Sequence, residues 1–200
     1  MRLQLGIKLI MDIVLSSVVI ILLSPVMLLI SLSIKLSSKG PIFFTQKRLG
    51  KDGSSFRIYK FRTMIMDAEK IGDGLRVHSD SDNRITKVGS FLRKTSLDEL
   101  PQLFNVLKRD MSLVGPRPPV TYHPYDGYVN YPEWAKKRFT MKPGITGLAQ
   151  VTVRNAVSWD ERIKYDNKYI KNFSLWLDIK ILIATIKKII IPSSIYLEEK

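Results

Sequence analysis

An uncharged run of 22 residues, from Ile13 to Ile34, constrains this chain more than any other feature of its sequence. An α-helix needs about 20 predominantly apolar residues to cross the hydrocarbon core of a bilayer. The run is too long for the apolar region of a cleaved signal peptide, and no small-residue cleavage site follows it. The sequence therefore predicts a membrane segment in residues 1–36, followed by a single membrane-associated domain in residues 37–200.

Pro25 lies near the middle of the apolar run and bears on its topology. Proline removes one helical hydrogen bond and clashes with the preceding turn, and the hydroxyl of Ser24 could bond a backbone group freed in this way. Lysine and arginine flank the run on both sides, so both of its ends favour the cytoplasm. Two hypotheses stand equally: a helix–break–helix that enters and leaves by one face, and a straight, kinked single span. Either way, the basic bulk of the chain is expected on the cytoplasmic side.

The formal net charge of +14 admits three classes of partner, which are nucleic acid, anionic lipid headgroups and phosphorylated small molecules. The sequence has no zinc-ligand spacing, no RRM-like aromatic motif and no obvious recognition helix, so we expect no nucleic-acid partner. Cysteine is absent, which excludes disulfide bonds and thiolate metal sites.

Two adjacent carboxylates, Asp98 and Glu99, stand among basic residues in segment 93–102. Acids placed in this way could share a divalent metal with a phosphate-rich ligand. The same segment also fits a capping box, because Ser96 and Glu99 have the required spacing before an apolar run. The two interpretations are compatible, since a helix N-terminus is itself a phosphate site.

Two other segments present cations that suit phosphate binding. Lys60 and Arg62 lie at the end of a predicted strand, although cations at such positions often only face solvent. Arg117 is embedded in Gly-Pro-Arg-Pro-Pro, residues 115–119, which can form neither regular helix nor central strand. A guanidinium held in a stiff loop suits bidentate phosphate recognition.

The secondary-structure pattern of the remaining segments predicts an α+β fold that is mostly helical. A small β-hairpin is expected from two β-rich runs, 42–46 and 56–61, with a turn at 50–53. The predicted helices are 64–70, 85–92, 97–107, 159–173 and 175–191. The last of these is apolar with charges on one half of its helical wheel, which favours an amphipathic interfacial helix over a second span. Segment 72–84 is predicted to be a surface loop with His78 exposed.

Five ordered blocks of sequence resemble the bacterial sugar transferase family, the small monotopic phosphoglycosyl transferases. The blocks are GPIFFTQKRLG (40–50), KFRTM (60–64), RKTSLDELPQ (93–102), DMSLVGPRP (110–118) and KPGITGLAQV (142–151). The similarity runs from Lys8 and Asp12 to about residue 185. Ser24-Pro25 matches the helix–break–helix of that family, so the resemblance implies a re-entrant hairpin and a minimal catalytic form.

The resemblance implies a membrane enzyme of glycoconjugate assembly. Such an enzyme transfers sugar-1-phosphate from a UDP-sugar to undecaprenyl phosphate at the cytoplasmic face of the bacterial inner membrane, and UMP leaves. Members of the family are described as two-step enzymes with Mg2+ and an aspartyl-phosphosugar intermediate, although direct one-step transfer is the competing mechanism. The resemblance does not specify the sugar, the glycan pathway or the oligomeric state.

Roles for individual residues also follow from the resemblance. It implies that Asp98 is the nucleophile and that Glu99 is a ligand of Mg2+. Substrate-phosphate binding is implied for three basic residues, Lys60, Arg93 and Arg117, and we add Arg62 by proximity. These roles suit the chemistry, because a carboxylate is a competent covalent nucleophile and phosphoryl transfer depends mainly on positioning and charge neutralisation.

Overall fold

A computed structural model of the chain describes residues 2–71, 82–153 and 157–190. The helices are α1 (Arg2–Ser37), α2 (Lys87–Thr95), α3 (Gln102–Leu107), α4 (Glu133–Lys136), α5 (Leu148–Thr152), α6 (Trp159–Lys171) and α7 (Leu175–Ile190). The strands are β1 (Phe43–Leu49), β2 (Ser55–Phe61), β3 (Ser112–Val114) and β4 (Gly144–Thr146). This confirms a mostly helical α+β chain with a small antiparallel hairpin. Most of the predicted surface loop, including His78, lies outside the described residues.

Helix α1 continues without interruption through Ser24 and Pro25, which corrects the prediction of two helices separated by a break. The physical reason lies in the serine. Pro25 has no N–H to donate to the carbonyl of Ile21, four residues earlier. Ser24 Oγ donates a hydrogen bond to that same carbonyl at 2.9 Å, so the hydroxyl replaces the missing donor and the helix passes the proline.

The outer surface of α1 is apolar and largely uncovered. Within the described part of the chain, α1 is the one helix long and apolar enough to cross a membrane, with a mean hydropathy of 2.9 over its most apolar stretch. Only 11% of that stretch is buried by the rest of the protein. Ile21, Leu22 and Leu28 are each at least 70% exposed. An apolar surface of this length is consistent with a helix that contacts lipid.

Both ends of α1 are attached to the rest of the chain. Near its start, Lys8 pairs with Asp178 of α7 at 2.5 Å. One turn later, Asp12 accepts hydrogen bonds from Ser112 Oγ at 2.7 Å and from the backbone N–H of Leu113 at 3.1 Å. The second half of the helix packs in an apolar cluster, whose buried members are Met27, Ile30, Ile34, Phe61 and Leu92.

The hairpin is confirmed, with β1 ending three residues later than the sequence predicted and pairing from Phe43↔Phe61 to Leu49↔Ser55. Asn105 of α3, which is fully buried, attaches this hairpin to the helix. Its amide accepts a hydrogen bond from Tyr59 N–H and donates one to Arg57 C=O. The backbone of β2 is thereby held beside the segment that precedes α3.

The prediction missed a second small sheet, in which β3 and β4 pair in parallel through Ser112↔Gly144 and Val114↔Thr146. The predicted helix 64–70 is also wrong, because only a single 3-10 turn forms there, Ala68–Lys70. Helices α6 and α7 are confirmed with small changes at their ends.

Candidate active site

The acid pair lies in an irregular connection between α2 and α3. Ser96 has a left-handed backbone (φ 58°) that ends α2, and the single 3-10 turn Leu97–Glu99 follows it. The predicted continuous helix 97–107 is therefore wrong, since α3 begins only after Pro101. The capping role expected for Ser96 is wrong as well, because its side chain makes no capping hydrogen bond. With no capping box, the carboxylate of Glu99 is free for other contacts.

A close approach between α2 and the end of the hairpin positions this connection. A Cβ atom on Gly89 would lie 1.9 Å from the carbonyl oxygen of Thr63, so only glycine fits where the helix crosses the chain. Thr86 caps the helix by accepting a hydrogen bond from Gly89 N–H at 2.9 Å. The last turn of α2, which carries Arg93, is thus fixed beside the residues that follow β2.

Lys60 and Arg117 converge on the acid pair. Lys60 Nζ lies 2.7 Å from Glu99 Oε1 and 3.8 Å from Asp98 Oδ2. Arg117 Nη2 donates to the same Glu99 oxygen at 3.0 Å. The side chains of Asp98 and Glu99 are 14% and 20% exposed. The structure therefore brings together four of the residues that the sequence singled out.

The two remaining predicted cations, Arg93 and Arg62, have different surroundings. Arg93 lines the same cavity as the acid pair and lies close enough for its charge to lower the pKa of Asp98. Arg62 is buried, and its guanidinium donates at 2.8 Å to the carbonyls of Ser38 and Lys39, just past the end of α1. These contacts use both terminal nitrogens and leave only Nε without a partner among the described residues, so we assign Arg62 to holding α1 in place of the phosphate contact that proximity suggested.

Burial and charge separate the pKa values of the two acids. Burial raises the pKa of Asp98 above its usual value; the charge of Lys60 opposes this rise and that of Glu99 adds to it. Burial would also raise the pKa of Glu99, but Lys60 and Arg117 outweigh burial and hold it well below its usual range. Glu99 is thus firmly ionised, whereas the charge on Asp98 is poorly stabilised, as expected of a reactive carboxylate.

We expect Asp98→Asn and Glu99→Gln to change stability in opposite directions at pH 7. The raised pKa of Asp98 means that its charge opposes folding, so removing that charge should raise the free energy of unfolding. Because the pKa of Glu99 is lowered, its charge stabilises the fold at every pH above the ordinary pKa of 4.5. This stabilisation is lost as the pH falls from there through the lowered pKa. The melting temperatures of both variants at pH 7, compared with that of the wild type, give the sign of each change in stability. A shift in the same direction for both variants would contradict this electrostatic assignment.

The acid pair opens into a cavity of about 1130 Å³. One part of its wall is polar and includes all six predicted site residues, Lys60, Arg62, Arg93, Asp98, Glu99 and Arg117. Another part is apolar and comes from α1 and α7, through Leu15, Val19, Leu182, Ile186 and Ile189. A single cavity therefore joins the charged groups to the helix that carries the exposed apolar surface.

Sequence reasoning missed four cavity residues, Arg138, Trp159, Arg162 and Asp166. For Asp166, the sequence itself contained a signal of burial. Asp166 lies three residues after Ile163 and three before Tyr169, so it shares the buried face of α6 with them. A carboxylate on an otherwise apolar helix face indicates a buried charged partner.

The acid pair also fits a magnesium ion. Mg2+ commonly takes one or two protein carboxylates together with phosphate oxygens and water. The described ranges contain no cluster of three or more metal-ligating side chains. Glu99 Oε1 is occupied by two cations, so its second oxygen and the carboxylate of Asp98 are the donors that remain.

Known proteins were compared with the chain. A family model described as bacterial sugar transferase matches residues 3–192. The galactosyl transferase CpsE of Streptococcus agalactiae is 49% identical over 76% of this chain and 35% of its own length. The UDP-N-acetylgalactosamine-undecaprenyl-phosphate N-acetylgalactosaminephosphotransferase of Aeromonas hydrophila is 46% identical over 90% of this chain and 43% of its own length.

A third relative is the UDP-glucose:undecaprenyl-phosphate glucose-1-phosphate transferase of Klebsiella pneumoniae, which is 44% identical over 92% of this chain and 40% of its own length. The chain thus spans about two fifths of the length of these curated relatives. The family match covers nearly every residue, including both the membrane segment and the acid pair. The chain belongs to the bacterial sugar transferase family.

Proposed function

We propose that this chain transfers sugar-1-phosphate from a UDP-sugar to undecaprenyl phosphate and releases UMP. The observation that carries the proposal is the acid pair itself, in which Lys60 and Arg117 both hold Glu99 while Asp98 is left with a raised pKa. Two relatives are named for reactions between a UDP-sugar and undecaprenyl phosphate, which supports this donor and this acceptor.

Transfer takes place in two displacements at phosphorus. A carboxylate oxygen of Asp98 attacks the sugar-bearing phosphate of the donor, the bond to the bridging oxygen breaks, and UMP leaves with that oxygen. A phosphate oxygen of undecaprenyl phosphate then attacks the same phosphorus and displaces the Asp98 carboxylate, which gives a polyprenyl-diphosphate-linked sugar. Splitting the reaction lets a soluble donor and a lipid acceptor use one site in turn.

The basic residues neutralise charge during both displacements. Lys60 and Arg117, which pair with Glu99, and Arg93 on the same cavity wall face the phosphate oxygens as negative charge redistributes among them. A bound Mg2+, held by Glu99 and substrate phosphate, would supply further charge neutralisation as a Lewis acid.

The membrane arrangement is part of the proposal. We place α1 in the inner membrane of a bacterium as a re-entrant segment, with the catalytic domain on the cytoplasmic face. Attachment of both halves of α1 to the same domain supports this topology. Helix α7 lies at the interface, because Trp176, Ile183 and Ile186 are exposed while Asp178 on the opposite side is buried.

The identity of the sugar is not set by overall similarity. The three relatives differ by only 5 percentage points in identity, from 44% to 49%, yet their names specify galactose, glucose and N-acetylgalactosamine. The proposal is therefore limited to a UDP-sugar, with the product entering polysaccharide or glycoprotein glycan assembly.

A UMP-release assay tests the proposed function. The full chain in lipid nanodiscs, given Mg2+, undecaprenyl phosphate and a panel of UDP-sugars in turn, should release UMP with at least one of them. Full turnover should require the lipid acceptor, and Mg2+ removal by EDTA should abolish it. If none of a broad panel of UDP-sugars releases UMP, the proposal is contradicted.

A further inference from the structure

A second group of charged residues lines the cavity, apart from the acid pair. Arg138 lies in the 3-10 turn that follows α4, and Arg162 and Asp166 lie one turn apart on α6. None of them has a role in the displacements described above. Their charges and their hydrogen bonds indicate a binding site for an anion.

Arg138 is almost fully buried but only partly satisfied. Its guanidinium pairs with Asp166 at 2.7 Å, with the two side chains 1% and 2% exposed, and donates to the backbone carbonyl of Arg117 at 2.7 Å. Its Nε and Nη1 groups find no hydrogen-bond partner among the residues that the structure describes. Both carboxylate oxygens of Asp166 also lack a hydrogen bond among the described residues, although Asp166 is ion-paired with Arg138. Buried polar groups in native proteins are nearly always paired, so the Arg138 N–H groups at the cavity wall are available to an acceptor on a ligand.

Arg162 adds a second guanidinium to the same wall. It is half-buried, and its buried Nε finds no hydrogen-bond partner among the described residues. Burial lowers the pKa of Arg162, and the neighbouring charge of Arg117 lowers it further. The charges of Arg117, Asp166 and Arg138 all act on Arg162. Asp166 pairs with Arg138 and Glu99 pairs with Arg117, so Arg162 is the excess positive charge at this wall.

Trp159 holds the two arginines side by side. The guanidinium carbons of Arg138 and Arg162 lie 5.6 and 5.2 Å from the centroid of the Trp159 ring, within the range of cation–π attraction. The ring thus offsets part of the repulsion between the two like charges. Their arrangement is fixed before any ligand arrives.

We propose that Arg162, with Arg138 behind it, binds the donor phosphate that departs with the nucleoside, so that this wall is the subsite for the phosphate of UMP. The inference rests on the proposed function. Arg117 connects the two parts of the cavity, because its backbone bonds Arg138 while its guanidinium bonds Glu99. The charge of Arg117 also acts on Arg162, so one residue links the two subsites, as binding of neighbouring phosphates of a single diphosphate requires.

The affinity for UMP tests this subsite. Arg162→Gln should weaken UMP binding by about tenfold or more, since a hydrogen bond to a charged group contributes about 1.5–3 kcal/mol. Arg162→Lys, which keeps the charge but loses the planar fork, should fall between Arg162→Gln and the wild type. Isothermal titration of the full chain in nanodiscs with UMP measures each dissociation constant.

Lys164→Gln is the matched control, because it removes one positive charge from the same helix at an exposed position paired with Glu161. It should bind UMP as the wild type does. Equal UMP affinity in Arg162→Gln and the wild type, in an enzyme that still releases UMP from a UDP-sugar, would overturn the subsite alone. A wild-type chain that neither binds UMP nor releases it would overturn the subsite and the proposed function together.

Discussion

Asp98→Asn is expected to lose transfer activity by about 10⁴-fold or more, a loss of the size seen when a covalent nucleophile is removed. An amide cannot form the acyl phosphate that the two-step route requires. The side chain keeps its size, and its neighbours Lys60 and Glu99 remain in place, so the loss would report on chemistry. UMP release in the presence of undecaprenyl phosphate measures it.

A second readout identifies the intermediate directly. Wild-type chain incubated with radiolabelled UDP-sugar and no acceptor should carry a covalent phosphosugar, whereas Asp98→Asn should carry none. Asp52→Asn, at an exposed turn in the hairpin, is the matched control and should behave as the wild type. Turnover without any trapped adduct in the wild type would instead support direct one-step transfer, and adduct on Asp98→Asn would remove Asp98 as the nucleophile.

Lys8→Met is expected to lower the free energy of unfolding by about 3–5 kcal/mol, the usual effect of breaking a buried ion pair from one side. Lys8 and Asp178 are 9% and 6% exposed, and the pair joins the first turns of α1 to α7. Without the lysine, the hydrogen bond from Tyr169 Oη at 2.7 Å is the only side-chain contact that Asp178 would keep with a polar group of the described residues. The remaining buried carboxylate would be poorly compensated. Denaturant unfolding in micelles, followed by tryptophan fluorescence, gives the value.

Two comparisons make this second prediction specific. Replacing both partners, Lys8→Met with Asp178→Leu, should recover most of the loss because no unpaired charge is left in the interior. Lys164→Gln, which breaks an exposed pair with Glu161, should leave the free energy of unfolding nearly unchanged. Similar losses for Lys8→Met and Lys164→Gln would mean that the contact between α1 and α7 contributes little.

Local pattern was sufficient wherever one segment determines its own structure. The apolar length of α1, the Asp-Gly turn of the hairpin and the periodicity of α6 were all predictable from neighbouring residues. The acid pair was identified in the same way, from its position among cations. Its grouping with Lys60 and Arg117 was implied by family resemblance and is confirmed by the contacts.

Features that depend on distant parts of the chain were not predictable. Arg62 was assigned to phosphate because a strand end does not reveal which group its guanidinium meets, and here it meets the end of α1. The pair between Arg138 and Asp166 joins residues that no local period relates. The break before α3 also escaped prediction, because serine gives no sequence signal for the left-handed backbone of Ser96.

The double attachment of α1 has a consequence for how the protein responds to bilayer thickness. A free transmembrane helix adapts to a thicker or thinner bilayer by changing its own tilt. Here Lys8 and Asp12 fix one end of the helix to the domain, and Ile34 packs against Phe61 at the other. With α1 placed in the bilayer as we propose, helix and domain must tilt together, so a change in acyl-chain length would alter the height of the whole cavity above the lipid phosphates.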